Sequence, residues 1–241
     1  MDFLSYSYLQ SGQEAKAREV IEHTHHLVGA SEQDKAEHHA YLAARTALEL
    51  HRWQDAASLS APGVRSESQD TTEWARAIGA ARSGNRAAAA VKELTESVKE
   101  RESGARRSGY NVSTEKATDL REAEAWLAFA EGQTDQALEA LRAAAERQDK
   151  EGSDSVVNPA REMLGDMLME LERGPEALVE YKLALRNAPN RFDALLGAGR
   201  AAQASDDTSS AQAFYLKLTQ MCPAGADRPE LAEAKTVLAQ K

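Results

Sequence analysis

All six histidines of the chain, His23, His25, His26, His38, His39 and His51, fall between residues 23 and 51. Neutral imidazole is a ligand for zinc, nickel or copper, so this is where metal chemistry would be sought. His23 and His26 are three residues apart and share one face of a helix. Glu22 and Glu37 stand close enough in sequence to add a carboxylate. The spacing is not the His-Glu-x-x-His of a metalloprotease. The cluster therefore reads first as a solvated group around a loop. Its metal-binding or metal-dependent hydrolase alternative uses His23, His26, His38 and His39.

Other candidate chemistry is thinner. Glu170 with Glu172 and Asp206 with Asp207 are paired carboxylates, but they fall at expected helix ends and turns rather than in an enclosed pocket. General acid–base work requires such groups to be positioned on a substrate. Gly197 and Gly199 form a short Gly-x-Gly, but inside a helical pattern rather than after a strand, where they serve packing. No phosphate loop, nucleophile elbow or dinucleotide motif occurs. Cys222 is the only cysteine, which excludes an intramolecular disulfide and a cysteine zinc site. The expectation is a non-enzymatic protein with no catalytic residue and no cofactor.

The elements that would position any such residue are helices. The chain is Ala-rich and aromatic-poor, with few β-branched runs, and its glycines and prolines fall mostly between periodic segments. Its net charge of −10 argues against general nucleic-acid binding, which needs a basic footprint. The charge is uneven. Residues 61–110 carry 9 bases against 7 acids, with Arg101, Arg106 and Arg107 close together; residues 111–157 carry 5 bases against 11 acids. No apolar run reaches the ~18 residues of a membrane span, and the N-terminus has no signal-peptide pattern. A soluble, acidic, cytoplasmic protein is expected.

A repeat organises the whole. Gly165, Ala177, Tyr181 and Pro189 return 34 residues later as Gly199, Ala211, Tyr215 and Pro223. A fixed period of that length predicts stacked helix pairs. The small residue opening each second helix gives Ala17, Ala56, Ala89, Ala137, Ala177 and Ala211, at spacings of 39, 33, 48, 40 and 34. The units so defined are 1–30, 32–60, 70–102, 114–149, 158–190 and 192–223, with a capping helix over 229–240. They make a single all-α, right-handed α-solenoid across residues 1–241. Loops are expected at Ser60–Gly63, from Ser103 to Gly109, and from Lys150 to Asn158.

These residues resemble the tetratricopeptide repeat family. Leu164-Gly165, Leu168, Ala177, Tyr181 and Pro189 match its pattern, as do Ala198-Gly199, Ala202, Ala211, Tyr215 and Pro223. Both units depart from the family at its first aromatic, where Arg161 and Leu195 stand. The segments Asp2–Gln10, Ala160–Met169 and Pro189–Arg200 are similar to the C-terminal part of a group of uncharacterised bacterial tetratricopeptide-repeat proteins. Those relatives extend further at the N-terminus, so this chain is expected to be a fragment of something longer.

The resemblance implies that the first helix of each pair lines a concave face that meets a protein or peptide partner. Carried over by register, the partner-binding positions are Tyr6, Tyr41, Arg45, Trp74, Trp126, Phe129, Glu162, Asp166 and Arg200, with Leu9, Ile78 and Leu196 beside them. Aromatics with nearby charge suit peptide capture, because they bury much area at low entropy cost. The Lys and Asn of chaperone-tail readers are missing: Asp2 and Tyr6, Tyr41 and Arg45, and Trp74 and Ile78 stand there instead. An apolar end of the array at α-helical residues from Asp2 onward would support a homodimer.

Overall fold

The computed structural model describes residues 1–60, 67–84, 87–108, 114–151 and 159–239. Every regular element among them is helical, and no strand occurs. The helices are α1 (Asp2–Gln10), α2 (Glu14–His23), α3 (Glu32–Glu49), α4 (Trp53–Ala57), α5 (Glu67–Ser83), α6 (Ala87–Ser108) and α7 (Thr114–Ala130). They continue with α8 (Thr134–Glu151), α9 (Ala160–Glu170), α10 (Gly174–Asn187), α11 (Phe192–Gln203), α12 (Thr208–Met221) and α13 (Glu230–Ala239). A 3-10 turn, Thr24–His26, follows α2. No described helix is long and apolar enough to cross a membrane.

One turn recurs between the paired helices. Gly12, His51, Gly84, Gly132, Glu172 and Asp206 all have positive φ, between 51° and 80°. Each stands five residues before one of the alanines at positions 17, 56, 89, 137, 177 and 211. The hydrogen bonds repeat too: Gln13 N–H to Tyr8 O, Arg52 to Ala47, Gln133 to Ala128, Arg173 to Leu168 and Asp207 to Ala202, all 2.8–2.9 Å. This bond, reaching back five residues past a left-handed residue, closes a helix end by satisfying a carbonyl the helix cannot. Five of the six alanines are buried to 1% exposure or less, and Ala89 is exposed. In that pair the inward positions pass instead to Val91, Leu94 and Val98.

The 34-residue repeat has a physical basis in two glycine–tyrosine contacts. A Cβ on Gly165 would lie 2.8 Å from the Tyr181 ring, and one on Gly199 would lie 2.6 Å from the Tyr215 ring. Gly197 meets the other side of Tyr181, at 2.4 Å for the same imagined Cβ. Each tyrosine ring thus fills the space that a missing side chain leaves, and α9, α10, α11 and α12 pack in sequence through these contacts.

The contacts group the chain into two compact units: Met1–His23 with Asn158–Lys241, and Thr24–Val157. The sequence pattern reads as one array over residues 1–241, each pair resting on the next. Gly12 O accepts the N–H groups of Asp227 and Arg228 at 2.9 and 3.2 Å, so α1 and α2 belong with α9–α13. In the second unit α5 is central, packing on α3, α4, α6 and α7, while α8 packs on α7.

Several boundaries differ from expectation. Within the expected first unit, 1–30, the second helix stops at His23 and a 3-10 turn follows over Thr24–His26. Helix α6 runs on to Ser108 through the stretch read as a loop from Ser103. A single glycine costs only about 1 kcal/mol in a helix interior, and the flanking Glu102, Ala105, Arg106 and Arg107 are good helix formers. Likewise α5 begins at Glu67, ahead of the expected residue 70. The expected loops at 61–63, at 109 and over 152–158 lie outside the described residues.

Candidate functional site

A cleft of about 400 Å³ opens in the first unit beside α1. Tyr6, Ser7, Gln10 and Ser11 supply one wall, being one helical face at i, i+1, i+4 and i+5. The turn from Ala188 to Arg191 supplies the other, and Met221 at the end of α12 closes it. The walls are braced from behind. Gln10 Oε1 accepts the Phe192 N–H at 2.8 Å, which holds α1 to the start of α11. Lys217 Nζ donates to Pro189 O at 2.6 Å and steadies the turn. The Ser7 and Ser11 hydroxyls donate to Phe3 O and Ser7 O, both at 2.7 Å, and Ser11 Oγ accepts from Gln13 Nε2 at 2.8 Å. No histidine, cysteine or carboxylate lines this cleft. It presents an aromatic ring, a thioether, a proline and the Arg191 side chain among hydroxyl and amide groups.

Phe3 and Leu4 lie on the same helix and are 82% and 49% exposed. They extend the apolar surface of α1 past the cleft.

Of the nine expected partner-binding residues, four lie in this unit, and only Tyr6 lines the cleft. Glu162 is 1% exposed and receives two hydrogen bonds from Arg191, both 2.9 Å, so it is a buried ion pair rather than a ligand contact. Asp166 accepts the Tyr181 hydroxyl at 2.6 Å. Burial first, and then Asp166, pushes the Tyr181 phenol well above its usual pKa, so it stays a donor. Arg200 is exposed but engaged: its guanidinium donates to Glu233 at 2.5–3.2 Å.

The other five, Tyr41, Arg45, Trp74, Trp126 and Phe129, belong to the second unit. Tyr41 and Phe129 are half-buried, and Arg45 is buried. Trp74 and Trp126 are 5% and 2% exposed, so neither presents its ring to a groove in this conformation. They serve packing. The Arg82 guanidinium sits between two indoles, 4.5 Å from the Trp53 ring and 3.9 Å from that of Trp126. Phe129 meets Trp126 edge-on at 5.7 Å, and His51 stacks on Trp53 at 4.8 Å. A cation between two aromatic faces is a stable desolvated arrangement. The indole N–H groups of Trp74 and Trp126 have no acceptor among the described residues.

The histidines separate. His51 is a turn residue stacked on Trp53. His23 ends α2, and His38 Nδ1 lies 2.8 Å from Asp34 O within α3. His26 is exposed in the 3-10 turn. His39 pairs with His25, which the metal alternative did not include, at 4.6 Å between ring centroids.

Sequence reasoning missed the residues that hold the first unit together. Arg228 is buried, donates to Asp193 at 2.8 Å and to Glu230 at 3.0 Å, and covers the Phe192 ring at 4.0 Å. Burial opposes its charge, but Asp193 and Glu230 outweigh that and raise its pKa. The available signal was Asp193 itself, a carboxylate set among apolar residues at the start of an otherwise buried helix. No protein-family model matches the chain, and neither does any curated protein.

Proposed function

We propose that this chain is a non-enzymatic tetratricopeptide-type module, an α-solenoid of six helix pairs capped by α13, that binds a peptide segment of a protein partner. The family reading is supported by the repeated Gly165–Tyr181 and Gly199–Tyr215 contacts and by the turn that recurs five residues before each alanine. The observation that carries the binding reading is the cleft beside Tyr6, open to solvent, braced on both walls and bordered by exposed apolar side chains. An extended peptide would bury a side chain against Tyr6 and Met221 and exchange hydrogen bonds with Ser7, Ser11 and Asn190. Anchors of this type commonly carry most of an interface's energy.

An arrayed peptide library probed with the full chain tests this. Captured peptides should lose about tenfold or more in affinity with Tyr6→Ala or Met221→Asp, which corresponds to a hot-spot loss of about 1.4 kcal/mol. The variant Val179→Asp, at an exposed position on α10 away from the cleft lining, should bind as the parent does. Capture that ignores both cleft substitutions would refute the assignment.

A second reading, self-association, is favoured by the exposure of Phe3 and Leu4. Light scattering across a concentration series should then report a dimer that Phe3→Glu dissociates.

A further inference from the structure

The second unit holds a feature independent of the peptide cleft. His25, in the 3-10 turn, and His39, on α3, face each other with ring centroids 4.6 Å apart and planes tilted by 36°. Metal–imidazole bonds are about 2.0–2.1 Å, so two cis imidazoles on one ion place their ring centroids roughly 4.5–5 Å apart. The separation fits that arrangement without moving either element.

The surroundings are those of a ligand pair. Thr24 is fully buried, and its Oγ1 lies 3.3 Å from His39 Nδ1. That contact occupies one ring nitrogen and leaves Nε2 as the ligand atom; metal-binding histidines are commonly held through their second nitrogen in this way. His25 is exposed and His39 half-buried, so an ion can reach both from solvent.

We propose that His25 and His39 form a binding site for a divalent transition cation of the zinc, nickel or copper class, positioned by Thr24 and completed by water. Two imidazoles and oxygen donors suit these borderline ions over magnesium or calcium, which prefer all-oxygen sites. No redox or hydrolytic step is implied. A bound ion would tie the 3-10 turn to the middle of α3 and so fix the polypeptide that leads into the second unit.

Calorimetric titration of the metal-free full chain with zinc, nickel and copper chlorides tests this, with circular dichroism confirming that each variant stays helical. One ion per chain is expected, with copper tightest by the usual affinity order. His25→Ala and His39→Ala should each abolish that binding step. Thr24→Val should weaken it by about tenfold, as loss of an outer partner does. His23→Ala, His26→Ala and His38→Ala should leave it unchanged. Imidazole resonances of His25 and His39, and not of His38, should shift together on adding zinc. The site is refuted if no ion binds, or if removal of His23, His26 or His38 abolishes binding while loss of His25 and His39 does not.

Discussion

The Asp227 carboxylate caps α2 from 213 residues away, accepting the Glu14 N–H at 2.6 Å and the Ala15 N–H at 2.9 Å. The exchange is mutual, because Gly12 O just before α2 accepts the N–H groups of Asp227 and Arg228. Helix N-termini carry unsatisfied donors, and a carboxylate there both accepts them and favours the helix dipole. Here the cap comes from the far end of the chain. It is therefore a tertiary clasp as well as a local stop signal.

Asp227→Ala should consequently cost about 1–2 kcal/mol, the upper part of the range for a lost cap. Asp227→Asn keeps one acceptor and should recover part of the loss. Thermal unfolding followed at the helical band measures both, and hydrogen exchange should localise the loosening to α1 and α2. If the two variants melt with the parent, the clasp contributes nothing.

The recurring left-handed turn makes a second prediction. Glu172 and Asp206 occupy it at φ 59° and 56°, where Gly12, Gly84 and Gly132 stand in other pairs. A side chain in that conformation costs roughly 1–2 kcal/mol, and glycine returns part of the gain through its freer unfolded chain. Glu172→Gly and Asp206→Gly should each stabilise by up to about 1 kcal/mol, while Gly132→Ala destabilises by a similar amount. Urea melts of the three variants should move in those opposite directions.

How far the sequence reveals this protein follows from what each feature depends on. The helix pairs and their turns are local events, set by alanine-rich runs and by Gly12, Gly84 and Gly132, and the expected pairs lie close to the observed ones. The contacts of Tyr181 and Tyr215 were legible because they repeat at a fixed period. The groupings that depend on distant partners were not. Nothing near Gly12 announces Asp227, and nothing near α1 announces the turn at Pro189 that makes a cleft of it. The expected concave residues are a related case. Register places Trp74, Trp126 and Glu162 on inward-facing stripes, but periodicity cannot distinguish a stripe that meets a ligand from one that meets the next helix. At 1–5% exposure, none of these three is open to solvent.

Glu162 and Arg191 are the sharpest case, each 1% exposed and joined by two 2.9 Å hydrogen bonds. Removing one member of such a pair strands the other charge away from water. Glu162→Ala should therefore cost about 3–5 kcal/mol. The double substitution Glu162→Leu with Arg191→Met removes both charges and keeps apolar volume, and it should recover most of that loss. Chemical denaturation of the single and double variants completes the cycle. A double variant as unstable as the single one would show that the pair is valued for shape rather than for charge.

Acid should release α13 before the rest of the first unit. Its two carboxyls are both held below the ordinary range. For Glu233 the first cause is the hydrogen bonding from Arg200, whose guanidinium also attracts it; for Glu230 burial pulls upward, and Arg228 outweighs it. A carboxyl depressed in the folded state stabilises that state above its unfolded pKa of about 4.3 and loses the contribution as pH falls through the lower folded value. The Tyr215 hydroxyl, 2.6 Å from Gln203 and 3.0 Å from Glu233, gives α13 a second tie, since its single proton serves either acceptor. Protonating Glu233 weakens its attraction for Arg200 and makes it a poorer acceptor for that hydroxyl. Exchange of α13 amides should therefore accelerate between pH 5 and 3 relative to those of α10 and α11. Glu233→Gln should show the faster exchange already at pH 7 and a flatter profile below it. An unchanged pH profile in that variant would assign the acid sensitivity to some other carboxyl.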